Sequence, residues 1–398
     1  MPNTNVSGNT IYVLGSSGGP FDGCTQCFLI ETKNNKQTDN KDLISKHPYS
    51  YFMIDGGAGL SEMSKLFIES SQKNEKEDYI SQLYSQNCVA CSSSSSSSSS
   101  SSFSNDSRNE FTAKSLKANS KPKVPFIDGK NAILQTIKLY SLINKVFITH
   151  SHLDHISGMI LNLPVVFEKI CKNTRKTIYG GKTCIDSIDE NIFNCKIWPN
   201  FLYLEGENKD NSNNLINLKQ MDSHETVNIN ENISVLRMSL LHGKTIQNTG
   251  LNIESSCYFV IDKRSKTFFL TFGDCEWEQE NFPKVWLECV RLIKKEFVLT
   301  TLIIECSNTD KDYEEDLYGH MNPKYLTEAL KSLYEMIPEE NKIKDQVINV
   351  AISHIKQQIC LEDPRRIILQ QLNYRLDQND LSHFYKVSIL LSGYSYTV

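Results

Sequence analysis

Between Phe147 and Gly158 the chain reads FITHSHLDHISG, which places His150, His152, Asp154 and His155 within six consecutive positions. Imidazole nitrogen and carboxylate oxygen are the donors that suit zinc and similar divalent ions. Four such groups exceed what one ion takes from so short a loop, so the spacing points to two adjacent ions. A polar surface turn bonded to water or backbone would account for any one of these residues; it does not account for the cluster.

Two ions need donors from elsewhere in the chain. His242 closes the run SVLRMSLLHG, Asp274 closes FFLTFGD and His354 closes QVINVAISH, so each ends an apolar, strand-like segment as His150 does. Strand ends that open into turns aim side chains from a rigid scaffold, which is where sites are built. Taken singly, each has an ordinary explanation, a capping aspartate or a surface histidine. Taken together, they complete a seven-residue donor set. Two further residues stand out: Glu305 ends the strand-like run TTLIIEC, and His320 is a remaining histidine in the site-like motif DLYGHMNP. Six of the nine histidines then fall in one proposed site, leaving His47, His224 and His383 without a role. Water bound to zinc ionises near neutral pH, and a pair of ions about 3.5–4 Å apart suits in-line displacement at phosphorus. The ions would also neutralise phosphoryl charge, which removes the need for an arginine cluster.

The elements that must position these residues alternate in a regular way. Short β-rich runs occur at 11–14, 27–30, 51–54, 146–149, 233–238, 258–261, 268–272, 302–304, 347–352 and 387–391. Helical patterns lie at 131–143, 156–163, 183–191, 282–295, 323–336 and 364–376. Hairpin-spaced strands with flanking helices predict stacked sheets covered by helices rather than a doubly wound parallel sheet. The 398 residues are read as a single catalytic domain, 1–398, carrying a disordered serine-rich insertion at 70–124 and a polar surface loop at 205–226. Ser92 to Ser102 is unbroken serine.

Composition narrows the partners. With 42 basic against 47 acidic residues and an isoelectric point near 6.0, no general positive field gathers nucleic acid or an anionic membrane. The expected partner is a small molecule, and with no leader-like or membrane-length apolar run the chain is read as cytoplasmic. The pairs Cys24/Cys27 and Cys88/Cys91 lie too far apart for the ~15–20-residue spacing of a structural zinc site.

The motifs carry a resemblance. HSHLDHISG, with the early GSSGGP at Gly15–Pro20, Ile54-Asp55-Gly56-Gly57 and Leu317-Tyr318-Gly319-His320, resembles the class II, fungal-type cyclic nucleotide phosphodiesterases, within the metallo-β-lactamase fold of binuclear hydrolases. The resemblance implies an α/β (α+β) fold, an αββα sandwich of two stacked mixed sheets flanked by helices. It implies two divalent ions, zinc foremost, with His150, His152 and His242 on the first, Asp154, His155 and His354 on the second, and Asp274 bridging. The implied reaction is opening of a 3′,5′-cyclic nucleotide, cyclic AMP or cyclic GMP, to a nucleoside 5′-phosphate by a hydroxide shared between the ions, with Asp154 among the catalytic residues. Glu305 and His320 resemble the pair that assists leaving-group departure in zinc-dependent tRNA 3′ endonucleases of the same superfamily; His320 is the expected acid or phosphate ligand, oriented by Glu305. Gly18 and Gly19 are expected to approach the substrate closely, and the family implies a homodimer. Two alternatives use the same residues: an RNA-processing nuclease, and a non-catalytic nucleotide-binding module. The mixed charge of the insertion argues against the first and the complete donor set against the second.

Overall fold

The computed structural model describes residues 8–20, 23–34, 47–70, 125, 127–129, 131–167, 175–202, 216–244, 252–278, 280, 282–310, 317–342, 347–356 and 362–398. The first half builds one sheet and its covering helices: β1 (Thr10–Gly15), β2 (Cys27–Lys33), β3 (Tyr49–Ile54), α1 (Leu60–Ser70), α2 (Ala132–Leu142), β4 (Ile143–Phe147), α3 (Leu153–Asn162), β5 (Lys176–Gly180), α4 (Lys182–Asn191) and β6 (Ile216–Gln220). The second half continues with β7 (Thr226–Asn228), β8 (Ile233–Lys244), β9 (Asn252–Asp262), β10 (Thr267–Phe272), α5 (Phe282–Ile293), β11 (Val298–Glu305), α6 (Pro323–Met336), β12 (Ile348–Ser353), α7 (Pro364–Gln378) and β13 (Tyr385–Ile389), before β14 (Ser395–Thr397) returns to the first sheet. The strand orders are β14-β1-β2-β3-β4-β5-β6 and β13-β12-β11-β10-β9-β8-β7.

Alternation of side chains along each strand creates four layers. Ile11, Val13, Phe28, Phe52 and Phe147 of the first sheet meet Val235, Tyr258, Val260, Phe269 and Ile303 of the second in one buried cluster between the sheets. The opposite face of the first sheet packs Leu29 and Met53 against Leu66, Leu139, Met159 and Ile188. The opposite face of the second sheet packs Leu270 and Leu302 against Trp286, Leu330 and Leu372. This is the expected αββα arrangement of two mixed sheets.

Topology also gathers the strand ends. β10, β11, β12 and β13 run parallel, while β8 and β10 each run antiparallel to β9 and so point the same way. Residues that terminate β8, β10, β11 and β12 therefore meet at one rim of the second sheet. α2 starts at an Asn131 cap that accepts from Leu134 N–H, and α6 at Pro323 with Asn322 as its cap. Both starts match helix-entry chemistry.

Several elements differ from the expectations. β5, β6, β7, β14 and α1 were not expected from the sequence pattern. The stretch 205–226 is not a loop throughout: residues 216–220 form β6, paired in parallel with β5, and Thr226 opens β7. Residues 203–215 lie outside the described residues, as do 71–124 with the serine tract and the Cys88/Cys91 pair. α2 runs directly into β4, which begins three residues earlier than the apolar run suggests. The described cysteines are free thiols, Cys24 and Cys27 included. No described helix is long and apolar enough to cross a membrane.

Candidate metal centre

The seven expected donors converge. His150, His152, His242 and Asp274 form one group whose donor atoms lie within 4.8 Å of one another; Asp154, His155, His354 and Asp274 form a second, sharing Asp274 with the first. Glu305, His320 and His354 form a third group on the same side. Asp274 is thus common to two sets of donors.

The HxHxDH loop leaves β4 and ends in the first turn of α3. Its path is fixed by backbone bonds to the Asp55-Gly56-Gly57 turn after β3: Asp55 N–H donates to Phe147 O at 2.8 Å, Gly56 N–H to His155 O at 2.7 Å, and Met159 N–H to Gly56 O at 2.7 Å. Asp154 lies in the first turn of α3, where the helix dipole favours a carboxylate.

Each buried ring is held by the nitrogen that faces away from the centre. His155 Nδ1–H donates to Asp55 Oδ2 at 2.9 Å; His242 Nδ1–H to the Gly319 carbonyl at 2.7 Å; His354 Nδ1–H to Ser307 Oγ at 3.1 Å; and His150 Nδ1–H to Thr149 Oγ1 at 3.2 Å. Thr149 Oγ1 in turn donates to Asp55 Oδ1 at 3.0 Å, so one carboxylate steadies two rings. These outer partners fix each tautomer and turn an Nε2 lone pair inward.

The inward atoms fit a cation. Bond lengths of about 2.0–2.1 Å at a tetrahedral site put neighbouring donors roughly 3.3 Å apart. Observed separations are 3.2 Å for His155 Nε2 to His354 Nε2, 3.1 Å from each of those nitrogens to Asp274 Oδ1, and 3.2 Å from His354 Nε2 to Asp154 Oδ2. His150 Nε2 and His242 Nε2 each stand 3.7 Å from Asp274 Oδ2. Despite full burial, His150 Nε2 and Asp274 Oδ1 have no partner in hydrogen-bonding geometry, a costly state for protein atoms alone. The buried carboxylates Asp55, Asp274 and Glu305 have no lysine or arginine partner among the described residues; their charged neighbours are histidines.

Electrostatics agrees with donor function in the first group and differs in the second, where burial opposes a charged His155 but Asp274 and Asp55 outweigh it and raise that ring well above the usual imidazole range. Burial pushes His150 well below the usual imidazole range and His242 down to about 4, and it lowers His152 as well. Neutral rings with free lone pairs are the form that binds metal. Burial opposes ionisation of Asp274, but His354 and His155 outweigh it and hold the carboxyl well below its ordinary value.

Glu305 and His320 also meet: His320 Nδ1–H donates to Glu305 Oε1 at 3.1 Å. Glu305 accepts in addition from Cys275 N–H at 2.7 Å and from Ser307 Oγ at 2.5 Å. Burial disfavours a charged His320, yet Glu305 overcomes it and raises the imidazole above its usual value. Of the two expected substrate-binding glycines, Gly18 lies against His354, where a Cβ would come within 2.5 Å of Nδ1. Gly19 is in the left-handed region at φ +76 with nothing within 4 Å of the corresponding Cβ position. Among the neighbouring hydroxyls, Ser16 donates to Leu390 O at 3.0 Å, whereas Ser17 is buried with its Oγ unpaired. Sequence reasoning left Asp55 without a role and missed Thr149 and Ser307; only the position of Asp55 at the end of an apolar strand was a visible signal.

Comparison with known proteins gives a concordant picture. The family model described as cAMP phosphodiesterases class-II matches residues 54–393. The 3′,5′-cyclic-nucleotide phosphodiesterase 1 of Saccharomyces cerevisiae is 27% identical over 393 residues, covering 97% of this chain and 98% of the relative. The 3′,5′-cyclic-nucleotide phosphodiesterase of Candida albicans is 25% identical, covering 98% and 99%. The crystal structure of unliganded yeast PDE1 superposes with a TM-score of 0.70 at 22% identity, over 98% of this chain and 100% of that one, which establishes the shared fold.

Proposed function

The chain belongs to the class-II cAMP phosphodiesterase family, and on that premise we propose that it hydrolyses 3′,5′-cyclic nucleotides, cyclic AMP or cyclic GMP, to nucleoside 5′-monophosphates. The observation that carries this reading is the double donor set sharing Asp274, whose inward atoms lie at ligand spacing and two of which, His150 Nε2 and Asp274 Oδ1, are buried without a hydrogen-bond partner. His150, His152 and His242 would hold one divalent ion, Asp154, His155 and His354 a second, and Asp274 both, with zinc the first candidate for this donor chemistry. Such ions supply an acidified water and offset phosphoryl charge.

The chain's own residues do the remaining work. Water adds to phosphorus as the bond to the ribose 3′ oxygen breaks, and that oxygen needs a proton. We assign that proton to His320. Its Nδ1 is engaged by Glu305 at 3.1 Å, so Nε2 is the atom left for proton transfer, and the raised basicity that Glu305 imposes keeps a proton on the ring. Asp154, whose side chain is 29% exposed, is the ligand carboxylate with access to solvent and orients the attacking water. Gly18 lets the backbone after β1 lie against the Nδ1 side of the His354 ring, and Gly19, with open space where a Cβ would stand, leaves room for the phosphate.

The test is direct. Purified protein supplied with zinc is expected to convert cyclic AMP to 5′-AMP with retention of the nucleoside. Untouched cyclic nucleotide alongside trimming of a precursor tRNA would overturn the assignment, as would protein that binds no metal.

A further inference from the structure

The proposed reaction accounts for the phosphate end of a cyclic nucleotide and says nothing of its base. The described structure offers seven large hydrophobic side chains to solvent, Ile133, Leu153, Leu161, Ile197, Leu287, Tyr318 and Tyr374. Two of them adjoin the centre in sequence. Leu153, 68% exposed, lies between His152 and Asp154; Tyr318, 55% exposed, precedes Gly319 and His320.

Tyr318 is held where an aromatic residue is disfavoured. The turn Leu317–His320 is closed by His320 N–H to Leu317 O at 3.1 Å, and its central residues have φ of +52 at Tyr318 and +80 at Gly319. Left-handed backbone at both central positions is the pattern of a type I′ turn, which glycine and asparagine accept and bulky residues resist. The turn cannot relax without cost to the centre, because the Gly319 carbonyl receives His242 Nδ1–H at 2.7 Å and His320 is bound to Glu305. A residue so exposed is not there to fill the core. Strain retained beside a site points to function.

We propose that Tyr318 and Leu153 recognise the nucleobase, Tyr318 as a stacking surface beside His320 and Leu153 as an apolar contact beside His152 and Asp154. This inference rests on the cyclic nucleotide reading above. A flat heterocycle needs an apolar or aromatic face, and each base presents one; the donor-set residues next to these two side chains in the chain, His152, Asp154 and His320, are polar. The base is then gripped by its face, while the donor set takes the phosphate.

The experiment compares two substrates, cyclic AMP and the methyl riboside 3′,5′-cyclic phosphate, which keeps the reacting ring and lacks a base. In Tyr318→Ala the ratio of kcat/KM for cyclic AMP over the base-free diester is expected to fall about tenfold, through KM, in line with the usual strength of base–aromatic stacking. Leu153→Ala should lower the ratio by a smaller factor, and Tyr318→Phe should restore it. Tyr318→Gly is expected to lower the same ratio while raising Tm, since glycine accepts φ +52 freely; a residue needed only to shape the turn would lower Tm and affect both substrates alike. Wild type that cleaves cyclic AMP, with Tyr318→Ala and Leu153→Ala variants that keep the wild-type ratio, overturns this proposal and spares the proposed function. Wild type that cleaves neither diester overturns the function itself.

Discussion

The two sheets equip the centre in different ways. The first contributes His150, His152, Asp154 and His155 from a single segment that leaves β4 and runs into the first turn of α3, and the second contributes His242, Asp274 and His354 from the ends of three strands. The loop is a local device: its donors are adjacent in the chain, and the turn after β3 fixes its backbone. The strand ends form a global device, since they meet only because β8, β10 and β12 share a direction within one sheet. A local set can lose a member and keep its neighbours in place. A global set depends on the residue where its parts cross, which here is Asp274.

That contrast is broken most severely at Asp274. Asp274→Ala removes the carboxylate common to both donor groups, so elemental analysis should find metal lost from both sites and kcat reduced by about 10³ or more. His152→Ala touches one group at its exposed side; one ion per chain should remain. Equal metal loss in the two variants would mean that the groups are not organised around Asp274.

His320 tests the strand-end side of the comparison by chemistry rather than by metal content. His320→Ala should lower kcat for cyclic AMP by roughly 10²–10³, the usual worth of a positioned acid. The loss should nearly vanish for a phosphodiester with a 4-nitrophenolate leaving group, which departs without a proton. An equal loss on both substrates would make His320 a structural or metal-holding residue.

The supports on the two sides come next in size. On the first-sheet side Asp55 receives Thr149 N–H at 2.8 Å, Gln26 Nε2 at 3.0 Å and His155 Nδ1 at 2.9 Å. Asp55→Ala should weaken metal binding by about 10–100-fold and cost about 3 kcal/mol of stability, from several buried donors left unpaired. On the second-sheet side Ser307 links one ring to the acid pair: its hydroxyl lies 3.1 Å from His354 Nδ1 and donates to Glu305 at 2.5 Å. Ser307→Ala should cost about tenfold in metal affinity and leave His155 and His150 unaffected. Competitive chelator titration separates the two outcomes.

These two supports also show where sequence reading stops. The loop donors were legible because four metal-binding groups crowd six positions, and His242, Asp274, Glu305 and His354 because each ends an apolar run. Asp55 and Ser307 act through hydrogen bonds whose partners lie 100 and 47 positions away, and nothing local marks a serine as the brace of a distant ring. The layers of the fold were legible from strand and helix periodicity for the same reason as the loop donors. β6 and β7 were not, because INLKQ and TVN are short, polar segments whose strand character comes from pairing with β5 and β8.

The smallest expected effects fall on the glycine pair beside His354, and they divide it. Gly18 owes its identity to packing: a methyl group there would meet the His354 ring at 2.5 Å, so Gly18→Ala should displace a donor of the second group and lower metal affinity several-fold. Gly19 has open space at the same position and a φ of +76, so Gly19→Ala meets only the left-handed penalty, about 1–2 kcal/mol. Its metal content should equal that of wild type, and KM for cyclic AMP should change less than about threefold, about 0.6 kcal/mol. A larger rise in KM at full metal occupancy would place the substrate phosphate against Gly19. The early glycine segment would then belong to the substrate side of the comparison, with Gly18 alone on the metal side.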